Sequence, residues 1–540
     1  MVSVRSPVME HDLNDAASII DLADSIVRSL ARKLAAEGSV DDDQVLAYDL
    51  AHSASAVETA RGLMDYAGKG EQEAAITCAF VADAVHDLST RLFGREADWG
   101  VDLGALDSAR PFLATYRSPA FLASLADVDD NRHLSDDFEL VQDTFRRFGQ
   151  DKIATAAEHI HRFNEDIPEE IIGGLGELGA FGLSIPEEYG GFAGGGESDY
   201  YGMVIATEEL SRASLGCGGS LITRPEILAR ALEAGGTEEQ KQTWLPQLAM
   251  GEVMNAVAVT EPDYGSDVAN IKVMATPTED GWLINGVKTW CTFAARADVL
   301  MLLARTDPDR SKTHKGLSLF IVSKPRGEGL GFQFTQEAEG GAAGGGKMEG
   351  RPIDTIGYRG MHSYEVAFDD WFVPADNLIG GEDGLGRGFY YQMQGFENGR
   401  LQTAARAVGV MQAAFDEAKQ YAEDRKVFGE PIADFQLTQA KLGRMAVIIQ
   451  SARQFAYSVG KMMAKGEGAM EASMVKAYVC KAAEWVTREA MQIHGGFGYA
   501  EEYPVSRYFV DARVLSIFEG ADETLCLKVI ARRLIAEAEL

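Results

Sequence analysis

The feature that most restricts the fold is a change of hydrophobic period near residue 257 and its reversal near residue 388. Upstream, apolar residues recur at helical spacing. Ile19, Ile20, Leu22, Ile26, Leu30 and Leu34 fall near one face, and Ala75, Ala79, Val81, Val85 and Leu88 give a later stripe. Gly68–Lys69–Gly70 and Ala97–Asp98–Trp99–Gly100 read as breaks. From Asp136 the helical pattern continues through Phe138, Leu140, Val141 and Phe145. At Val257 it turns to alternation: Val257–Val259, Val273–Ala275, Trp282–Ile284 and Leu300–Leu302, with Asp280–Gly281 and Asn285–Gly286 as hairpin-type dipeptides. The segment 339–346 reads as a glycine-rich insertion between strands. After Gly388 the helical stripe returns with Leu401, Val408, Val410 and Phe415. Helices, strands, then helices predict an α+β fold. Its expected parts are an N-terminal helical extension over 1–135, an α-domain over 136–256, a small antiparallel β-domain over 257–380 and a C-terminal helical bundle over 381–540.

A chain of 540 residues is too long for one core, which agrees with several domains. No apolar run is long enough to span a bilayer, and Met1–Pro7 lacks the apolar stretch of a secretory signal. The five cysteines are odd in number and show no metal-ligand spacing. Reduced thiols, a cytoplasmic location, no membrane insertion and no metal are therefore expected. The formal net charge of −33 argues against nucleic acid as a partner, because phosphate neutralisation needs a basic footprint.

Three short motifs stand in order along the chain: Ala258–Val259–Thr260–Glu261–Pro262–Asp263–Tyr264–Gly265–Ser266–Asp267, then Lys288–Thr289–Trp290–Cys291–Thr292, then Ile517–Phe518–Glu519–Gly520. Together they resemble the acyl-CoA dehydrogenase family of flavoproteins, over roughly residues 136–540. The resemblance implies the family's α–β–α fold, FAD as cofactor, an acyl-CoA thioester as substrate, and electron-transfer flavoprotein as electron acceptor. It assigns Val257, Val259 and Thr260 to the flavin's pyrimidine edge, where donors stabilise the charge of the reduced ring. Trp290 and Thr292 match residues that cover the ring; for Trp290 alone, ordinary core packing is the plain alternative. Arg425, Phe428 and Gln436 match a segment that reaches the ADP half of FAD from a neighbouring subunit, which implies a homodimer or homotetramer. Gln492, Gly495 and Gly496 match the loop under the pyrophosphate, where glycines admit close approach of backbone N–H groups. Ser266, Arg400 and Gly520 match positions that contact the CoA thioester.

Glu519 corresponds to the family's catalytic base. The α-hydrogens of a thioester are weakly acidic, so the base must be placed within hydrogen-bond reach, and burial beside an apolar acyl chain should raise its pKa. As a bare carboxylate, Glu519 would instead suit the N-terminus of the helix after it. Gly399 stands where some relatives carry the base. The segment after Glu519 departs from the family's pattern: it reads Ala521–Asp522–Glu523, without the usual hydroxyl and amide.

Typical relatives lack the residues ahead of Asp136. Extended members with such a helical portion dehydrogenate methylsuccinyl-CoA to mesaconyl-CoA in the ethylmalonyl-CoA pathway, and that reaction is the expectation. Arg224 lies in the region that lines the family's acyl pocket and could pair with a terminal carboxylate; a structural salt bridge with Glu226 or another acid is the other reading. Another short- or branched-chain acyl-CoA dehydrogenase, an acyl-CoA oxidase and a non-catalytic DNA-binding member remain open as alternatives. The last should be basic and need not keep Glu519.

Overall fold

The computed structural model describes residues 10–37, 40–338 and 344–538. Most of the glycine-rich insertion (residues 339–343) and the start Met1–Pro7 lie outside them. Two units result: one joins residues 1–140 to 403–540, the other comprises 141–402.

The second unit holds the sheet. Its strands are β1 (Asn255–Ala258), β2 (Met274–Pro277), β3 (Gly281–Thr292), β4 (Val299–Arg305), β5 (Leu317–Ser323), β6 (Phe332–Thr335), β7 (Lys347–Ile353) and β8 (Ser363–Pro374), in the order β1-β4-β2-β3-β8-β7-β6 with β5 on β4. The pairings are mostly antiparallel, as expected, but β4 lies parallel to both β1 and β2. All seven residues of β4 are buried, so its apolar run is continuous rather than alternating. Leu303, Met301 and Val299 join Leu228 and Leu232 of the helix Thr223–Gly235 in one core.

Asp280–Gly281 closes the β2–β3 hairpin, with Thr278 N–H donating to Gly281 C=O at 2.8 Å. Asn285–Gly286 does not make a hairpin: it lies inside β3 at a bulge against β8. Gly286 takes φ 129°, and a Cβ there would come within 2.9 Å of Val273. A two-residue signal for positive φ is the same for a turn and for a bulge, and only the strand pairing separates them.

In the first unit, the N-terminal helices Glu10–Glu37, Gln44–Gly62 and Glu71–Leu92 share a core with Gln436–Ala464 and Ala469–His494. Their Ile26, Leu30, Val85 and Leu88 are buried, as is Val447 of the C-terminal part. Polar ties cross between the two sequence segments. Asp83 receives Arg444 at 3.1 Å, and Asp130 receives the fully buried Arg453 at 2.7 Å. All five cysteines are free and buried. Among the described residues, no helix is long and apolar enough to cross a membrane.

Candidate active site

The second unit holds the strand motifs. Val257 sits half-buried on β1, Val259 is buried just past its end, and Thr260 follows half-buried. What fixes them is an ion pair absent from the list of expected site residues. Lys288 on β3 is wholly buried; its Nζ donates to Glu261 at 2.8 Å and to Val259 C=O at 2.8 Å. Glu261 also accepts Lys272 N–H at 2.6 Å and Val273 N–H at 2.8 Å. Burial pulls the Lys288 pKa down to about 8 against the opposing pull of Glu261. Thr289 N–H donates to Thr260 C=O at 2.8 Å, so the first two motifs are laced together residue by residue.

Two residues after Lys288, Trp290 takes φ 57° and is 55% exposed. Core packing, the plain alternative for this residue, is thereby excluded within the chain. A bulky residue in the left-handed region is uncommon and strained. Thr292 Oγ1 lies 3.1 Å from Ser363 Oγ at the end of β3. Ser266 is exposed in the loop before a short turn, Val268–Asn270. Arg224 is buried in the first turn of its helix; its Nε donates to Ser220 C=O at 3.2 Å and its Nη2 to Thr223 Oγ1 at 3.3 Å. Glu226 lies 3.6 Å from Arg230, which also donates to Glu233 at 3.1 Å. Arg230 and Glu226 line a cleft together with Ser184, Tyr200 and Gln402. Arg400 is half-buried on the helix Gly388–Asp424.

The first unit holds the carboxylate. After the helix Val505–Leu515 the chain turns through Glu519 at φ 53° and Gly520 at φ 97°. The Glu519 carboxylate accepts Thr403 Oγ1 at 2.7 Å and Arg406 Nη2 at 2.7 Å; the Arg406 side chain is fully buried and that of Glu519 is 14% exposed. Beside the apolar flank the carboxylate thus meets two polar partners, a hydroxyl and a guanidinium, which fix its orientation. The Arg406 guanidinium also lies 5.0 Å from the Phe518 ring. Sequence reasoning missed Thr403 and Arg406. The signal that could have found them is their spacing from Arg400, at i+3 and i+6 on one helix.

At one end of the same unit Tyr421 stacks on His494, with ring centroids 4.2 Å apart. That stack joins the helix end before Arg425 to the helix end before Gly495 and Gly496. His494 is buried, its Nδ1 lies 2.8 Å from Ala490 C=O, and burial lowers its pKa. Arg425, Gln436 and Gln492 are exposed, and Phe428 is 99% exposed at φ 52°. A Cβ added to Gly495 or Gly496 would meet nothing within 4 Å. Exposed aromatic, guanidinium and bare backbone groups fit a dinucleotide, which needs a stacking face, a planar fork for phosphate and close access to N–H donors. The residues present therefore fit FAD.

Among the described residues one trio has metal-ligand character: His52, Asp522 and Cys526, all buried, with atoms within 4.8 Å of one another.

Three family models match the chain: Acyl-CoA dehydrogenase, N-terminal domain over residues 135–252, middle domain over 256–371 and C-terminal domain over 386–535. The (2S)-methylsuccinyl-CoA dehydrogenase of Cereibacter sphaeroides is 38% identical over 521 residues, covering 92% of each chain. That match leaves less than a tenth of this chain unmatched, so it reaches well into the residues ahead of 135. Glutaryl-coenzyme A dehydrogenase in its glutaryl-CoA complex superposes with a TM-score of 0.67 at 31% identity, over 76% of this chain and 97% of its own. A glutaryl-CoA dehydrogenase of Mycobacterium smegmatis in complex with FADH2 gives a TM-score of 0.65 at 25% identity, over 76% of this chain and 97% of its own. With its three domains matched in order and a carboxylate held by Arg406 and Thr403 at the third motif, the chain belongs to the acyl-CoA dehydrogenase family, FAD-dependent oxidoreductases that act on carbon–carbon single bonds.

Proposed function

We propose that this protein dehydrogenates methylsuccinyl-CoA to mesaconyl-CoA, with Glu519 as the base that takes the α-proton. The observation that carries the substrate is the length of the match to the C. sphaeroides enzyme, which extends beyond the family domains into the N-terminal helices. When bound, FAD supplies the acceptor for the β-hydride. The chain's own residues do the rest. Arg406 and Thr403 hold the Glu519 carboxylate charged and pointed in one direction, so that it does not reorganise when the proton moves. A charged partner makes a carboxylate a weaker base, and the left-handed turn at Glu519–Gly520 and the fixed orientation offset that loss through placement.

Val257, Val259, Thr260, Trp290 and Thr292 are the proposed flavin contacts on the strands. The Lys288–Glu261 pair supports this role, because it rigidly sets the strand end that carries them. Arg425, Phe428, Gln436, Gln492, Gly495 and Gly496 are proposed for the ADP half. The exposure of Phe428 supports a homo-oligomer in which another subunit's cofactor covers it. Ser266, Arg400 and Gly520 are proposed for the thioester, Arg224 for the terminal carboxylate, and electron-transfer flavoprotein for the onward electrons.

The test is anaerobic mixing of the FAD-loaded enzyme with methylsuccinyl-CoA, followed by turnover with an artificial acceptor against butyryl-, isobutyryl- and glutaryl-CoA. Bleaching of the flavin and a clear preference for methylsuccinyl-CoA are expected. Equal rates on the uncarboxylated thioesters would overturn the substrate, and peroxide formed in stoichiometric amounts under air would make the enzyme an oxidase.

A further inference from the structure

The loop that carries Glu519 is held from both sides. Glu519 and Gly520 take consecutive left-handed conformations, which for a glutamate is a strained backbone that the surroundings must enforce. Upstream, Ser516 is buried and its Oγ donates to Glu484 at 2.6 Å. Lys476 Nζ donates to Gly520 C=O at 2.5 Å. Downstream, Asp522 N–H closes the loop on Ser516 C=O at 3.1 Å. Asp522 opens the next helix, is only 3% exposed, and stands in the Ala521–Asp522–Glu523 segment.

The partners of that carboxylate come from the other end of the sequence. Tyr48 Oη donates a short hydrogen bond to Asp522 Oδ2, and His52 Nε2 lies 3.2 Å from the same oxygen. The two aromatic rings meet edge to face at 4.7 Å, one turn apart on the helix Gln44–Gly62. That helix is itself pinned: Asp49 accepts Arg91 at 2.7 Å and Arg95 at 2.9 Å, and Arg61 lies 2.8 Å from Asp24. A buried carboxylate is costly unless hydrogen-bonded, so Asp522 has a strong preference for the place that Tyr48 and His52 define. Burial alone would raise its pKa, yet the bonds from His52 and Tyr48 hold it below the usual carboxylate value. Burial also pushes the Cys526 thiol well up, and its Sγ donates to Asp522 Oδ1 at 3.8 Å.

We propose that Tyr48 and His52 are positioning residues for the catalytic base: the N-terminal helices hold Asp522, and through it the Glu519–Gly520 turn, in the geometry that proton abstraction needs. This rests on the reading of Glu519 as the base. It gives the extension a part in the chemistry, beyond enlarging the core, and explains why an acid replaces the family's hydroxyl-and-amide segment here. The family models begin at residue 135, so the arrangement is additional to the domains they describe.

Truncating the extension would strip the shared core, so point variants of the full chain are the test. Tyr48→Phe, His52→Gln and the double variant are loaded with FAD. Each is compared with the parent for FAD content, KM, kcat and the anaerobic rate of flavin bleaching by α-protiated and α-deuterated thioester. Whichever thioester reduces the parent is used. The expected result is unchanged FAD content and KM, with bleaching slowed about ten-fold in the double variant, within the ~10² that about 1 Å of misplacement can cost. The isotope effect should rise because proton abstraction becomes more limiting. Parental bleaching rates in the double variant, or a loss that merely tracks lost FAD or a lowered Tm, would overturn the proposal. A parent that no thioester bleaches would instead overturn the function on which it rests.

Discussion

Replacing Glu519 by glutamine tests the central assignment with little disturbance to the fold. The amide is isosteric, its oxygen can still accept from Thr403 and Arg406, and the same left-handed backbone is required of either residue. What is lost is the charge opposite Arg406, whose side chain is fully buried. Hydrogen bonds to charged groups are worth about 1.5–3 kcal/mol, and part of that survives with the amide, so a destabilisation of about 1–2 kcal/mol is expected. The kinetic loss should be larger. A positioned general base contributes about 10²–10⁴ in rate, or roughly 3–5 kcal/mol of barrier at 1.36 kcal/mol per decade. The assay is anaerobic stopped-flow bleaching of the FAD-loaded variant by methylsuccinyl-CoA, with thermal unfolding and FAD content measured alongside. The reasoning predicts a protein that keeps its cofactor, unfolds slightly earlier and bleaches at least about a hundred-fold more slowly. A variant that bleaches within about three-fold of the parent would refute the role of Glu519, because no other group at that loop is offered as the base.

Three further outcomes follow from the same contacts. Arg406→Met removes the guanidinium that holds the Glu519 carboxylate in place, so flavin bleaching should slow about ten-fold, within the ~10² that misplacement can cost; an unchanged rate would dissociate the pair from catalysis. Lys288→Met leaves Glu261 buried without its cation, a change that costs about 3–5 kcal/mol for buried pairs, so thermal unfolding and FAD retention should both drop sharply, and an unchanged Tm would contradict it. Asp522 has a folded pKa below its ordinary 3.8, so its bonds stabilise the protein above that pH and the contribution disappears as pH falls through the lower folded value. Asp522→Asn should therefore lower stability near neutrality by more than in strong acid, a difference that a Tm series against pH reads directly.

Local chemistry made some of this protein legible in one dimension. Hydrophobic period depends on neighbours a few residues apart, so the helix–strand–helix order and the hairpin at Asp280–Gly281 could be read from spacing alone. Glu519 was singled out only through the resemblance of the third motif to the family's, since a lone carboxylate there equally suits the start of a helix. The same local signal failed at Asn285–Gly286, where pairing with β8 makes a bulge. It failed again at β4, where burial of every residue removes the alternation and two neighbours lie parallel. What the tertiary structure alone decided is which charges meet. Glu519 finds Arg406 113 residues away, and Asp522 finds His52 at a separation of 470. Such pairings leave no trace in spacing, because the free energy that selects them is the desolvation of groups brought together only by the packing of the whole core.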